Sequence, residues 1–142
     1  MDTVNQVTAE CFNAIRQLRE LDGPIRSPET IHERLGSFIE AMREKARDAG
    51  MAQRDADDIA YAIVALADEI ALGKAEPLRG YWMNRLWHLQ FFNESLAGEG
   101  FFTRLEQIRR DGRRQDVLRV YYQCLLFGLQ GKYSIRGGEA SS

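Results

Sequence analysis

Ile59-Ala60-Tyr61-Ala62-Ile63-Val64-Ala65-Leu66-Ala67-Asp68-Glu69-Ile70-Ala71-Leu72 is apolar on nearly every side of a helix. A helix of that kind belongs at the centre of a bundle, where neighbours cover all of its faces. Its start, from about Gln53, carries Asp55, Asp57 and Asp58, acids that suit the positive end of a helix dipole. Gly73 to Gly80, with Pro77, reads as the loop that follows.

The segments on either side read as helices that can cover this rod. Val4, Val7, Cys11, Ile15, Leu18 and Leu21 recur at three-and-four spacing and form one apolar stripe over 3–21. Asp22-Gly23-Pro24 ends it. Ser27-Pro28-Glu29 opens a second helix with a hydroxyl cap, a proline at the first position and an acid near the positive end. Its stripe is Ile31, Leu35, Phe38, Ile39, Met42 and Ala46, and Gly50 ends it. An aromatic-rich helix is expected over about 81–92, another over 99–110, and a last one over 115–129 capped by Gly131. Strand signals are almost absent. Six helices with short connections make an all-α packed bundle. The expected organisation is one helical domain over 1–136 and a flexible tail, 137–142, of small polar residues.

At 142 residues, 44% apolar and 28% charged, the chain can bury a real core, which argues against disorder. A formal charge of -2 excludes the broad basic field of a general nucleic-acid binder. Cys11 and Cys124 form neither a disulfide framework nor a CxxC motif and read as buried hydrophobes in a reducing compartment. No run of about 18 apolar residues is present to span a bilayer.

Chemistry is scarce. His32 and His88 are the only histidines and lie in no HExxH or CxxC spacing, so no metal or cofactor is expected. Gly128-Leu129-Gln130-Gly131-Lys132-Tyr133 is too short for a phosphate loop and follows a helix, not a strand. Tyr81, Trp82, Trp87, Phe91, Phe92, Phe101 and Phe102 read mainly as core, with room for one Trp at a partner surface. Arg109, Arg110, Arg113 and Arg114 read as a solvated turn, with an acidic partner or lipid headgroups as the functional alternative.

Asp68 and Glu69 are the informative pair, because two acids sit inside the apolar rod. Burying an unpartnered carboxylate is costly. One reading is an internal salt bridge to Arg79 or Arg85. A second is an exposed acidic spot at a groove, ready for a basic partner. A third is acid/base or metal-dependent hydrolysis, which needs further polar partners.

Three blocks carry a resemblance. The first is Tyr61-Ala62 followed by Ala65-Leu66-Ala67-Asp68-Glu69. The second is Trp82, then Phe92-Asn93-Glu94, then Gly98-Glu99-Gly100-Phe101-Phe102. The third is Leu118, Tyr121-Tyr122-Gln123-Cys124-Leu125, Gly128 and Gln130-Gly131-Lys132-Tyr133. In this order they resemble the DotU/TssL (IcmH) family of type VI and type IVB secretion systems. Leu96-Ala97-Gly98 stands where the family commonly has Trp-Gly-Gly.

The resemblance implies two small three-helix bundles packed together as the cytoplasmic domain of an inner-membrane subunit, with a transmembrane helix beyond Ser142. It implies a non-catalytic role in the membrane complex with a TssM/IcmF-type protein. It implies docking of the baseplate through a TssK-type subunit, with a TssE-type subunit and a homo-oligomer as further partners. It makes Asp68 and Glu69 the partner-binding candidates. The competing expectation is a soluble helical adaptor unrelated to secretion, or a hydrolase using the two acids.

Overall fold

The computed structural model describes residues 3–94 and 98–131. The expected tail, and Lys132-Tyr133 of the third block, lie outside the described residues. Seven helices are present among them and no strand: α1 (Thr3–Glu20), α2 (Pro28–Asp48), α3 (Gln53–Leu72), α4 (Leu78–Met83), α5 (Trp87–Phe92), α6 (Gly98–Asp111) and α7 (Gln115–Leu126).

Helix α3 is the axis of the molecule. Every residue from Asp58 to Asp68 is buried, as the all-round apolar pattern requires. Helices α1 and α2 pack on each other and on α3, making one three-helix group. Helices α6 and α7 pack on each other and on α3, making a second. The two three-helix bundles therefore share α3. Helices α4 and α5 lie against the same rod, and α4 also touches α2. Burial of Trp82, Tyr121, Phe101, Ile15 and Leu66 to 2% exposure or less anchors all of these layers in one core.

Three local readings are corrected. The single aromatic helix expected over 81–92 is two six-residue helices, broken at Asn84, Arg85 and Leu86. No Gly or Pro marks that break, because its cause is tertiary, as shown below. Ser27 stands at the N-cap of α2, but its hydroxyl makes no capping bond; its carbonyl accepts from Thr30 and Ile31 instead. The last helix stops at Leu126, and its terminator is Gly128 (φ 114°), not Gly131. The N–H of Leu129 reaches back to the Cys124 carbonyl, and that of Gly128 to Leu125, a closing turn that favours glycine.

Candidate functional site

The two acids of α3 lie side by side in sequence and serve different neighbours. Adjacent helical positions point about 100° apart, so Asp68 faces the α4–α5 corner while Glu69 faces the chain after α7.

Asp68 is buried, and its carboxylate accepts three N–H bonds. Trp82 Nε1 donates at 2.7 Å, the Trp87 backbone N–H at 3.1 Å and the His88 backbone N–H at 2.9 Å. Trp87 and His88 are the first two residues of α5, whose N–H groups have no partner within the helix. Asp68 thus caps α5 from another helix, which is why the aromatic segment breaks where it does. Burial pushes its carboxyl up to about 6, against the pull of the three donors.

The corner around Asp68 is tied down by both histidines. His32 Nε2 donates to the Arg85 carbonyl at 2.6 Å, and its ring stacks on Trp87 at 4.2 Å between centroids. Trp87 Nε1 returns a bond to the His32 carbonyl. The indole lies over α2 because position 36 is glycine: a Cβ there would overlap the Trp87 ring. His88 is fully buried and its Nε2 donates to the Tyr61 carbonyl at 3.1 Å. Since a carbonyl only accepts, Nε2 carries the proton, and Nδ1 has no hydrogen-bond partner among the described residues. Burial lowers both imidazoles, that of His88 to about 4.

Glu69 is half-buried. Its Oε2 accepts the Gln130 N–H at 2.7 Å and its Oε1 the Gly131 N–H at 2.9 Å. Two consecutive backbone donors are held by one carboxylate, so the segment leaving α7 is clasped to the central helix.

The internal salt bridge to Arg79 or Arg85 expected for one of the two acids is not made by Asp68, whose partners are three N–H groups. Arg79 Nε donates to the Leu72 carbonyl, and Arg85 to the Tyr81 carbonyl while lying over the Tyr81 ring. Asp68, 6% exposed, is not the exposed acidic spot of the second reading, whereas Glu69 is half-buried and its carboxylate meets the segment after α7. Among the described residues, no three His, Cys, Asp or Glu side chains converge in a way that could hold a metal ion.

Arg114 is another correction. It does not lie in a solvated turn: it donates to Asp55 at 2.7 Å and to Asp58 at 2.6 Å. Arg104 donates to the other Asp58 oxygen at 2.6 Å and lies over the Tyr61 ring at 3.8 Å. Tyr121 donates its hydroxyl to the Asp58 carbonyl, and Tyr61 donates to Glu94. Asp58, Tyr61, Glu94, Arg104 and Arg114 of this network line a cleft of about 970 Å³ between α3, α6 and the turn before α7. Gly100 makes room for it, since a Cβ there would overlap the Tyr61 hydroxyl. The sequence reading assigned Asp55 and Asp58 to the helix dipole alone. Their arginine partners lie 46 to 59 residues away, beyond any local pattern.

A buried carboxylate capping a helix and a second one clasping the segment after α7 define a helical fold whose polar groups hold its own elements together. The chain matches the family model described as type VI secretion system protein DotU over residues 4–141. It belongs to the DotU family of type VI secretion system proteins. Its fold matches the cytoplasmic domain of TssL from Acinetobacter baumannii, with TM-score 0.83 and 29% identity over 96% of this chain and 90% of that one. It also matches SciP/TssL from enteroaggregative Escherichia coli 042, with TM-score 0.81 and 24% identity over 94% of this chain and 78% of that one, a likeness of fold. No curated protein matches significantly.

Proposed function

We propose that this chain is a non-catalytic scaffold, the cytoplasmic domain of an inner-membrane subunit of a type VI secretion system. It joins a TssM/IcmF-type protein in the membrane complex and docks the baseplate through a TssK-type subunit, with a TssE-type subunit as a further contact. Family membership supports the apparatus. The observation that carries the scaffold reading is the division of labour between Asp68 and Glu69. From one rigid rod they fix two separate surface elements, the α4–α5 corner and the segment after α7.

The pair then serves partner binding as positioning residues. Asp68 holds the rings and backbone of the corner in a single arrangement, so a partner meets a preorganised surface and less ordering entropy is lost on binding. Membrane tethering raises the effective concentration of partners, so modest pairwise affinities suffice.

The test is binding of the unmodified chain to the TssK-type subunit from the same source, beside Asp68→Asn and Glu69→Gln. Binding by the unmodified chain, weakened in variants that keep full helicity, is the expected result. No binding by the folded, unmodified chain sinks the baseplate role. Full binding by both variants sinks the part given to the pair.

A further inference from the structure

The outward face of the α6–α7 hairpin has no task in the account above. The two helices meet through Phe101 and Tyr121, whose rings are 4.9 Å apart on the inner side. Outside, α7 shows Arg119, Tyr122 and Leu126 along one stripe, and α6 shows Phe102, Leu105 and Arg109 along another. Leu126 is 85% exposed, Tyr122 43% and Phe102 41%. The two stripes lie on helices that pack on each other. Phe102, Tyr122 and Leu126 stand apart from the large cleft, whose lining includes none of them.

The face has a polarity along its length. Its apolar end holds Phe102 and Leu126. Its other end, at the turn, is cationic: Arg109 and Arg110 share the single acid Glu106, and Arg113 is exposed beside them. A chain of net charge -2 is repelled by an anionic surface unless it presents a locally cationic face. An exposed leucine and aromatic rings beside arginines match a lipid interface, where apolar groups enter the acyl boundary and guanidiniums stay at the phosphates.

We propose that the outer face of the α6–α7 hairpin rests on an anionic bilayer surface, with Leu126, Tyr122 and Phe102 as the inserted groups and Arg109 and Arg113 at the headgroups. This rests on the proposed seating of the domain at the inner membrane. It assigns that membrane a contact on the folded domain itself. Such a contact fixes how the head is tilted, and hence which surfaces are turned toward other subunits.

The test is flotation of the full chain with phosphatidylcholine vesicles, with and without phosphatidylglycerol. Flotation is expected only with the anionic lipid, weakening as salt is raised. Leu126→Ser with Tyr122→Ser should lower vesicle affinity about tenfold or more. Arg109→Gln with Arg113→Gln should lower it about tenfold. Far-UV circular dichroism should be unchanged in both pairs. Failure to float on anionic vesicles overturns the proposal, as does flotation that survives both pairs. Protection of this face from hydrogen exchange by an added protein subunit, without flotation, also overturns it. A chain that fails to float yet binds the TssK-type subunit sinks this proposal alone. One that floats and binds no subunit upholds it while the baseplate role fails.

Discussion

The carboxylate of Asp68 accepts the backbone N–H of His88 at 2.9 Å, while the imidazole of the same histidine turns away to the Tyr61 carbonyl. One residue is thus held through its main chain by an acid and through its side chain by the rod that carries the acid. Burial reverses the order of the two titrations. Asp68 rises from an ordinary 3.8 to about 6, and His88 falls from 6.5 to about 4.

The signs of these shifts oppose each other in one pH window. A raised Asp68 contributes stability that is fully present below its unfolded value and is lost as pH rises toward about 6. A lowered His88 contributes stability that is present above 6.5 and is lost as pH falls toward about 4. His32, lowered by burial, adds to the histidine side. Asp68→Asn removes the opposing slope. Urea unfolding at pH 4.5 and 7 should show a variant that loses about 2 kcal/mol more on acidification than the unmodified chain. Equal losses in both would show that Asp68 titrates normally.

Alanine at the two acids should separate their roles. Asp68→Ala strips an acceptor from three donors in the core, at about 1–3 kcal/mol for each donor left bare, so a net loss of about 3–5 kcal/mol is expected. Glu69→Ala frees two N–H groups near the surface and should cost about 1 kcal/mol. Native-state hydrogen exchange should speed up at Gln130 and Gly131 in the Glu69 variant only. A Glu69 variant that loses as much stability as the Asp68 one would contradict the clasp.

The contrast between these acids shows what a sequence can and cannot reveal. Periodicity identified the central rod and the two flanking helices, because an apolar stripe is a local pattern that burial later obeys. It also singled out Asp68 and Glu69, since charges inside an apolar rod demand partners. It did not find those partners. The donors to Asp68 are an indole and the start of a six-residue helix capped from elsewhere in the chain, so the pairing has no local signature. Gly36 has no sequence signal, and Arg114 reads as part of a solvated turn, for the same reason. A glycine that accommodates a tryptophan 51 positions later, and an arginine that pairs with acids 56 and 59 positions earlier, depend on packing rather than spacing.

Gly36→Ala tests that packing directly. The added methyl overlaps the Trp87 ring, which stacks on His32 and bonds to its carbonyl, so the indole must shift. Overpacking of this kind costs about 1–3 kcal/mol. Alanine is otherwise the better helix former by about 1 kcal/mol, so any net destabilisation reports the clash. A shift in tryptophan emission should accompany it. A variant more stable than the unmodified chain by the full helix-propensity gain of about 1 kcal/mol would show that Trp87 is not wedged there.

Asp58 joins the second bundle to the rod, and its removal should show how much that joint contributes. One carboxylate bridges Arg104 and Arg114, and Arg114 is itself mostly covered, with 11% of its side chain exposed. Asp58→Ala leaves Arg114 with Asp55 alone and Arg104 with only the face of Tyr61. Breaking such a pair from one side is destabilising because a covered cation loses its counter-charge, here by about 3 kcal/mol. Arg114→Met should cost less, since an apolar side chain of similar length fills the space and Asp58 keeps Arg104. In a double-mutant cycle the two changes should couple by about 1–3 kcal/mol, as touching members of one network do. Additive losses would mean that Asp58 and Arg114 stabilise the fold independently, and that the joint between α3 and α7 is held by Tyr121 and its apolar neighbours instead.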